Sequence, residues 1–298
     1  MAVAELIFDG KHGVGESPVW RADEASLYWV DIPAKAILCW NSRSGAVRTW
    51  SLPEMAGCIA HIDGPRWLAA MESGVFMATL ADDGSVNTEL LAAARHAEPG
   101  MRFNDGRCDR QGRFLAGTMF LDMAAAKAVG VVSSFDANGN QRALVDQLIV
   151  PNGMAFSPDG RTMYLSDSHP TVTTVWAYDY DVATGTPANR RVFIAGGTMA
   201  GRPDGAAVDA DGCYWICGND AGFVHRYTPD GKLDRSLAVP VKKPAMCAFG
   251  GENLDTLFVT SIRPGGVDLS DQPLAGGVFA LRPGVQGLPE PKFQSLIP

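Results

Sequence analysis

The sequence predicts an all-β fold, a six-bladed β-propeller of four-stranded antiparallel blades that occupies residues 1–298 as a single domain. The main observation is an internal repeat, seen most completely at residues 151–168 (PNGMAFSPDGRTMYLSDS). There an apolar strand runs into a Ser-Pro-Asp-Gly turn and a second strand returns, and this turn chemistry is typical of a tight reversal. Copies recur at intervals of roughly 40–50 residues, the period of propeller blades. The six copies start at Ser17, Cys58, Gly106, Asn152, Gly205 and Met246.

The ends of the chain and the scarcity of helical patterns support the same fold. Six blades must close into a ring, and residues 5–9 are expected to supply a strand to the last blade, which ends near GGVFALRPG. No long stretch has a capped 3.6-residue apolar period. Residues 88–96 are predicted to form a short helical turn. The Ala-rich residues 120–129 (FLDMAAAKAV) are predicted to be a helical excursion over one face of a blade.

Composition limits the classes of partner. The 298 residues carry a net charge of −8 with a pI near 5.1, which argues against a nucleic-acid or anionic-membrane partner. The six cysteines are scattered, so we expect reduced, buried thiols. Residues 1–13 lack a basic region followed by an apolar run, and no apolar stretch approaches the ~20 residues of a membrane span. A cytoplasmic protein is therefore expected, as a monomer or weak homo-oligomer.

Oxygen-bearing side chains recur just before the inner strand in four of the repeats: Glu16, Asn104, Asn152 and Asp204. In a propeller these positions converge at one end of the central channel. Each residue alone is better explained by turn geometry or a solvated loop than by metal binding, because Asn and Asp before Gly commonly form turns. Their recurrence at one structural position favours a site for one divalent metal ion. Hard oxygen ligands suit Ca²⁺, Mg²⁺, Mn²⁺ or Fe²⁺, and spacing does not separate these from Zn²⁺.

Five segments, GESPVW, RFNDGRCDRQGRFLAGTM, PNGMAFSPDGRTMYLSD, PDGAAVDADGCYW and QPLAGGVFAL, resemble the blade motifs of the SMP-30/gluconolactonase/regucalcin family, in order and nearly end to end. The resemblance implies a six-bladed propeller that binds one divalent metal ion in its channel and, in many members, hydrolyses sugar lactones. Asp122 falls where animal members carry a glutamate, so the side chain is shorter here. Carried over, the metal ligands are Glu16, Asn152 and Asp204, and the substrate contacts are Arg102, Asn104 and Asp122.

The resemblance predicts metal-dependent hydrolysis of a 1,4- or 1,5-aldonolactone to its aldonic acid. The metal ion would polarise the carbonyl, and Asp204 would assist the attacking water as a general base or chiefly by orienting it. Two alternatives stay open at this point. One is a propeller that binds calcium, another metal or a protein without catalysis. The other is a paraoxonase-like esterase or phosphotriesterase, although the sequence has no clear second ligand set for a two-metal site.

Overall fold

The computed structural model describes residues 4–294, which form 24 β-strands and one short 3-10 helix (Met123–Ala125). The strands are β1 (Glu5–Phe8), β2 (Gly15–Arg21), β3 (Ser26–Asp31), β4 (Ala36–Asn41), β5 (Val47–Ser51), β6 (Ala56–Asp63), β7 (Arg66–Met71), β8 (Gly74–Leu80), β9 (Val86–Ala93), β10 (Met101–Cys108), β11 (Phe114–Phe120), β12 (Gly130–Phe135), β13 (Gln141–Leu148), β14 (Pro151–Phe156), β15 (Thr162–Asp167), β16 (Thr174–Asp181), β17 (Thr186–Ile194), β18 (Arg202–Val208), β19 (Tyr214–Asn219), β20 (Phe223–Tyr227), β21 (Leu233–Ala238), β22 (Pro244–Gly250), β23 (Thr256–Ser261) and β24 (Val278–Leu281).

The strands form six antiparallel four-stranded sheets, which confirms the six-bladed propeller. Five sheets use consecutive strands: β2 to β5, β6 to β9, β10 to β13, β14 to β17 and β18 to β21. The sixth has the order β1-β24-β23-β22, so the N-terminal strand closes the ring as predicted. The inner strands contact one another in the cyclic order β2, β6, β10, β14, β18, β22 and back to β2.

Buried aspartates rigidify two of the turns that connect inner strands to second strands. In the Asp-x-x-Gly turn of β18–β19, the backbone N–H of Gly212 donates to the carbonyl of Asp209. The Asp209 carboxylate, fully buried, accepts hydrogen bonds from the Cys213 N–H, the Trp215 indole at 2.8 Å and the Arg226 guanidinium at 2.8 Å. The turn after β10 repeats this arrangement around Asp109. The repeated Asp-x-x-Gly sequence therefore fixes both the turn and the packing beneath it.

Apolar side chains pack between neighbouring blades, and burial falls from the inner to the outer strands. β2, β14 and β22 are buried at every residue, whereas most residues of the outermost strand β21 are exposed. All six cysteines are free and buried, as predicted. Within residues 4–294 no helix is long and apolar enough to cross a membrane.

Both helical predictions were wrong in extent. Residues 88–96 lie mostly in β9, which pairs with β8 along its length, because cross-strand pairing outweighs local propensity. In residues 120–129 only one 3-10 turn forms, and it ends at Ala126 in a left-handed conformation (φ 49°). None of its residues is buried, so no packing stabilises a longer helix against its nucleation cost.

Candidate active site at one end of the channel

A cavity of about 260 Å³ lies at the channel end where the inner strands begin. Its volume is slightly below the roughly 300–1,000 Å³ of typical ligand pockets, which suits a small molecule. The structure brings five of the six predicted site residues together there: Glu16, Arg102, Asn104, Asn152 and Asp204.

A β-bulge in each inner strand turns these side chains toward the cavity. Glu16 pairs with Val30, but the next pair is Val19 with Tyr28, so the inner strand holds one extra residue. The same shift follows Phe103, Asn152 and Pro203. A bulge interrupts strand pairing and re-aims side chains, and it commonly lies beside functional sites. The oxygen-bearing residues therefore converge because each lies in, or directly before, a bulge.

The bulge after Asn152 requires glycine at position 153. Gly153 has φ 63°, and a Cβ atom there would lie 2.6 Å from the Tyr214 hydroxyl oxygen and 2.8 Å from Ser166 Oγ. The Tyr214 hydroxyl donates to the Gly153 carbonyl at 2.7 Å. The Asn-Gly pair, which the sequence suggests as a turn, here forms a tightly packed bulge that fixes the position of the Asn152 amide.

Two buried carboxylates, Glu16 and Asp204, lie in the wall of the cavity. Burial, followed by repulsion from Asp204 and Asp105, raises the pKa of Glu16 well above its ordinary value. Burial also raises the pKa of Asp204 to about 7, opposed by a hydrogen bond from Asn219 and by the charge of Arg202. Without a further cation beside them, the buried wall of the cavity therefore opposes ionisation of both carboxyl groups.

The donor set fits a hard divalent cation. Glu16 and Asp204 supply carboxylate oxygens, and Asn152 supplies an amide oxygen that accepts a hydrogen bond from Asn104 at 3.2 Å. Across residues 4–294, no three His, Cys, Asp or Glu side chains cluster as a metal site, so an amide would have to complete the set. An ion held by these residues would offset the repulsion between the two carboxylates.

A chain of hydrogen bonds links the predicted substrate contacts to Asn152. Arg102 donates from Nη1 to the Asn104 side-chain oxygen at 2.9 Å and to the Phe103 carbonyl at 2.7 Å. Asn104 in turn donates to the Pro151 carbonyl and to Asn152. These bonds hold Arg102 and Asn104 in one orientation at the cavity wall, where both can meet a ligand's oxygens.

Asp122 lies apart from the other five predicted residues. It is exposed, is not part of the cavity lining, and accepts a hydrogen bond from the Ala124 N–H at 3.1 Å as the N-cap of the 3-10 helix. Met123 of that helix does reach the cavity. The substrate-contact role of Asp122 stays a prediction.

Four polar residues that line the cavity were not predicted as site residues: Ser168, Arg202, Asn219 and Lys243. Asn219 donates to the Asp204 carboxylate at 2.6 Å and so orients it. Arg202 opens β18 two residues before Asp204, and Lys243 directly precedes β22. The sequence did contain a signal for Arg202 and Lys243, since charged residues at the start of inner strands lie at the same channel end as Glu16 and Asp204.

The opposite end of the channel holds a separate cavity of about 380 Å³, which includes His61 and residues 289–292. Between the two cavities, buried Asp105 accepts a hydrogen bond from the Met154 N–H, and buried Arg107 pairs with Glu290 at 3.3 Å. His61 is therefore remote from Glu16, Asn152 and Asp204.

Metal-free protein should lose stability relative to an Asp204→Asn variant as pH rises. Below about pH 4 the Asp204 carboxyl is protonated in both the folded and the unfolded protein. Because its pKa in the folded protein is raised to about 7, the folded protein retains this proton to a higher pH than the unfolded chain does. Between those values the unfolded state binds fewer protons, so stability falls, by at most about 4 kcal/mol. Thermal melting in chelator from about pH 5 to about pH 8 measures this. The raised pKa of Asp204 would be contradicted if the melting temperature of the wild type did not fall relative to that of Asp204→Asn as pH rises.

Comparisons with known proteins place this propeller and its oxygen-lined cavity in a family. The family model described as SMP-30/Gluconolactonase/LRE-like region matches residues 14–263, so the chain belongs to this family. A 6-deoxy-6-sulfogluconolactonase of Pseudomonas putida is 39% identical over 94% of each chain. Regucalcin of Sus scrofa is 34% identical over 92% of this chain and 93% of its own. The structure of a calcium-binding protein, regucalcin, from Agrobacterium tumefaciens superposes with a TM-score of 0.90 at 29% identity over 98% of each chain.

Proposed function

We propose that this protein is a metal-dependent lactonase that hydrolyses a sugar lactone to the corresponding aldonic acid. The observation that carries the proposal is the convergence of Glu16, Asn152 and Asp204 in one small cavity. Membership of a family that includes a relative named as a sulfogluconolactonase supports this choice of reaction.

Glu16, Asn152 and Asp204 would hold one divalent ion, which when bound would act as a Lewis acid toward the ester carbonyl. Calcium is one candidate, because a structural relative is described as a calcium-binding protein. Magnesium, manganese, zinc and ferrous iron share the preference for such ligands in different degrees, and the residues alone do not choose among them.

The side chains of the cavity divide the remaining work. Asp204 is oriented by the hydrogen bond from Asn219. It accepts a proton from a water molecule as the oxygen of that water attacks the lactone carbonyl carbon. The bond from that carbon to the ring oxygen then breaks, and the ring oxygen takes the proton that Asp204 accepted. The ring oxygen becomes a hydroxyl group, and the Asp204 carboxylate is restored. Arg102 and Asn104 would bind ring or hydroxyl oxygens, since a guanidinium presents a planar set of donors; the hydrogen bond between the two side chains supports this role.

The test is acid release from lactones by chelated, dialysed protein. A panel of 1,4- and 1,5-aldonolactones is followed with a pH indicator while each divalent ion is restored in turn. Turnover that disappears on chelation and returns with one ion is the expected result. Metal uptake without turnover of any lactone would contradict the proposal and indicate a binding propeller. A parallel panel of lipophilic lactones and phosphotriesters is assayed in the same way, and turnover restricted to that panel would indicate the paraoxonase-like reaction.

A further inference from the structure

The cavity is acidic at its floor and basic at its rim. We call Glu16, Asn152 and Asp204 the floor, since all three are buried. We call Arg202 and Lys243 the rim, since 21% and 27% of their side chains are exposed while both line the same cavity. They belong to neighbouring blades, because β18 contacts β22.

The two rim cations share one carboxylate. Arg202 donates from Nε to Asp220 at 2.7 Å, and the Lys243 ammonium also pairs with Asp220. Asp220 itself is not part of the cavity lining. The rim therefore has two positive charges that line the cavity and share one carboxylate outside the lining.

The outer edge of the Arg202 guanidinium is only weakly engaged. Nη1 and Nη2 make contacts of 3.4 Å, to the Ser168 carbonyl and to the Asn219 side-chain oxygen, and Lys243 also lies 3.4 Å from that oxygen. Those distances are at the long limit of hydrogen bonding, so these donors can turn to a better acceptor. A guanidinium beside an ammonium is well suited to an oxyanion that offers two or three oxygens.

The positive charge of Arg202 and Lys243 is separate from that of Arg102, the predicted substrate contact. It lies on β10, whereas Lys243 precedes β22, the inner strand on the opposite side of the ring. A neutral lactone bound by its carbonyl at the floor would offer the rim only hydroxyl groups. A lactone with a charged group at the far end of the sugar would span floor and rim.

We propose that the natural substrate is an anionic sugar lactone, with a sulfonate, carboxylate or phosphate at the end of the sugar distant from the lactone carbonyl, and that Arg202 and Lys243 bind this group. The inference rests on the proposed lactonase function and adds the substrate class and two specificity-determining residues. Arg202 and Lys243 also lie 3.4 Å from the side-chain oxygen of Asn219, which donates to Asp204, so replacing either can change the turnover of every lactone. The readout specific to the rim is therefore the ratio of kcat/KM for charged and uncharged lactones.

The experiment compares kcat/KM for an uncharged aldonolactone with the values for aldonolactones that carry a 6-sulfonate, a 6-carboxylate or a 6-phosphate. At least one anionic lactone should be preferred by about tenfold or more, and which one identifies the anion. Arg202→Gln and Lys243→Gln should each reduce that preference by about tenfold. Arg202→Lys should reduce it less, because the charge remains while the fork is lost. Lys242→Gln is the matched control, since Lys242 pairs with Asp271 at 2.7 Å outside the cavity, and it should leave the preference unchanged.

Binding of the hydrolysis products separates this inference from the lactonase proposal. Calorimetry with 6-sulfonated, 6-carboxylated, 6-phosphorylated and unsubstituted aldonates needs no turnover. Tighter binding of one anionic aldonate, lost in Arg202→Gln, supports the rim even if no lactone is hydrolysed. Equal kcat/KM for charged and uncharged lactones, unchanged in both rim variants, would overturn the inference and leave the lactonase proposal standing. Equal affinity for all four aldonates would overturn it as well.

Discussion

Asp204→Asn is expected to lower kcat/KM for the lactone by at least about 10³-fold while the protein remains folded. The substitution removes the proposed proton acceptor, a role worth about 10²–10⁴-fold, and one of the two anionic ligands of the proposed metal site. Asparagine has nearly the same shape, and its side-chain oxygen can still accept from Asn219. Steady-state kinetics with the restored ion, alongside circular dichroism, measures both effects.

Asp211→Asn is a suitable control for this variant. Its side chain is 67% exposed, on the turn that follows β18, so the same charge is lost far from the cavity and activity should be unchanged. Near-wild-type turnover by Asp204→Asn would show that the reaction does not use this carboxylate, and would remove the chemical basis of the proposed mechanism.

Asp209→Ala should destabilise the fold by about 3–5 kcal/mol. The fully buried Asp209 carboxylate is an acceptor for Arg226, Trp215 and Cys213, so its removal leaves a buried guanidinium and an indole N–H without that partner. Denaturant unfolding monitored by tryptophan fluorescence gives the change in free energy. Activity at low temperature should persist, because Asp209 lies outside the lining of the candidate active site.

Asp211→Ala provides the comparison on the same partner. Asp211 pairs with Arg226 at 2.9 Å, but the carboxylate is mostly exposed. Exposed ion pairs contribute about 0–1 kcal/mol, so this variant should unfold almost as the wild type does. Equal losses in the two variants would mean that burial of Asp209 does not set its contribution.

The repeat determined how much of the fold was predictable. Turn residues and apolar strands recur at fixed spacing, and only closure into a ring satisfies six such units, so blade number and the role of β1 followed from the sequence. The helical prediction for residues 88–96 was wrong because it relied on local propensity, whereas β9 pairs with β8 along its whole length.

The site was predictable where one structural position repeats, and less so where neighbouring blades cooperate. Glu16, Asn152 and Asp204 occupy equivalent places in their repeats, and the structure brings them together. Arg202 and Asn219 pair across β18 and β19, whereas Lys243 precedes β22 in the next blade. Their association through Asp220 and Asp204 therefore depends on strand register and on how two blades meet. Asp122 was placed by resemblance alone, and local capping of the 3-10 helix holds its side chain outside the cavity.

The most direct test of the proposed metal centre is anomalous X-ray diffraction from crystals grown with Mn²⁺, recorded for the wild type and for Glu16→Gln. A single strong anomalous peak bounded by the oxygens of Glu16, Asn152 and Asp204, and weakened in the variant, is the predicted result. A peak elsewhere in a protein that hydrolyses lactones, with none at these three residues, would contradict the assignment of the metal site to this end of the channel.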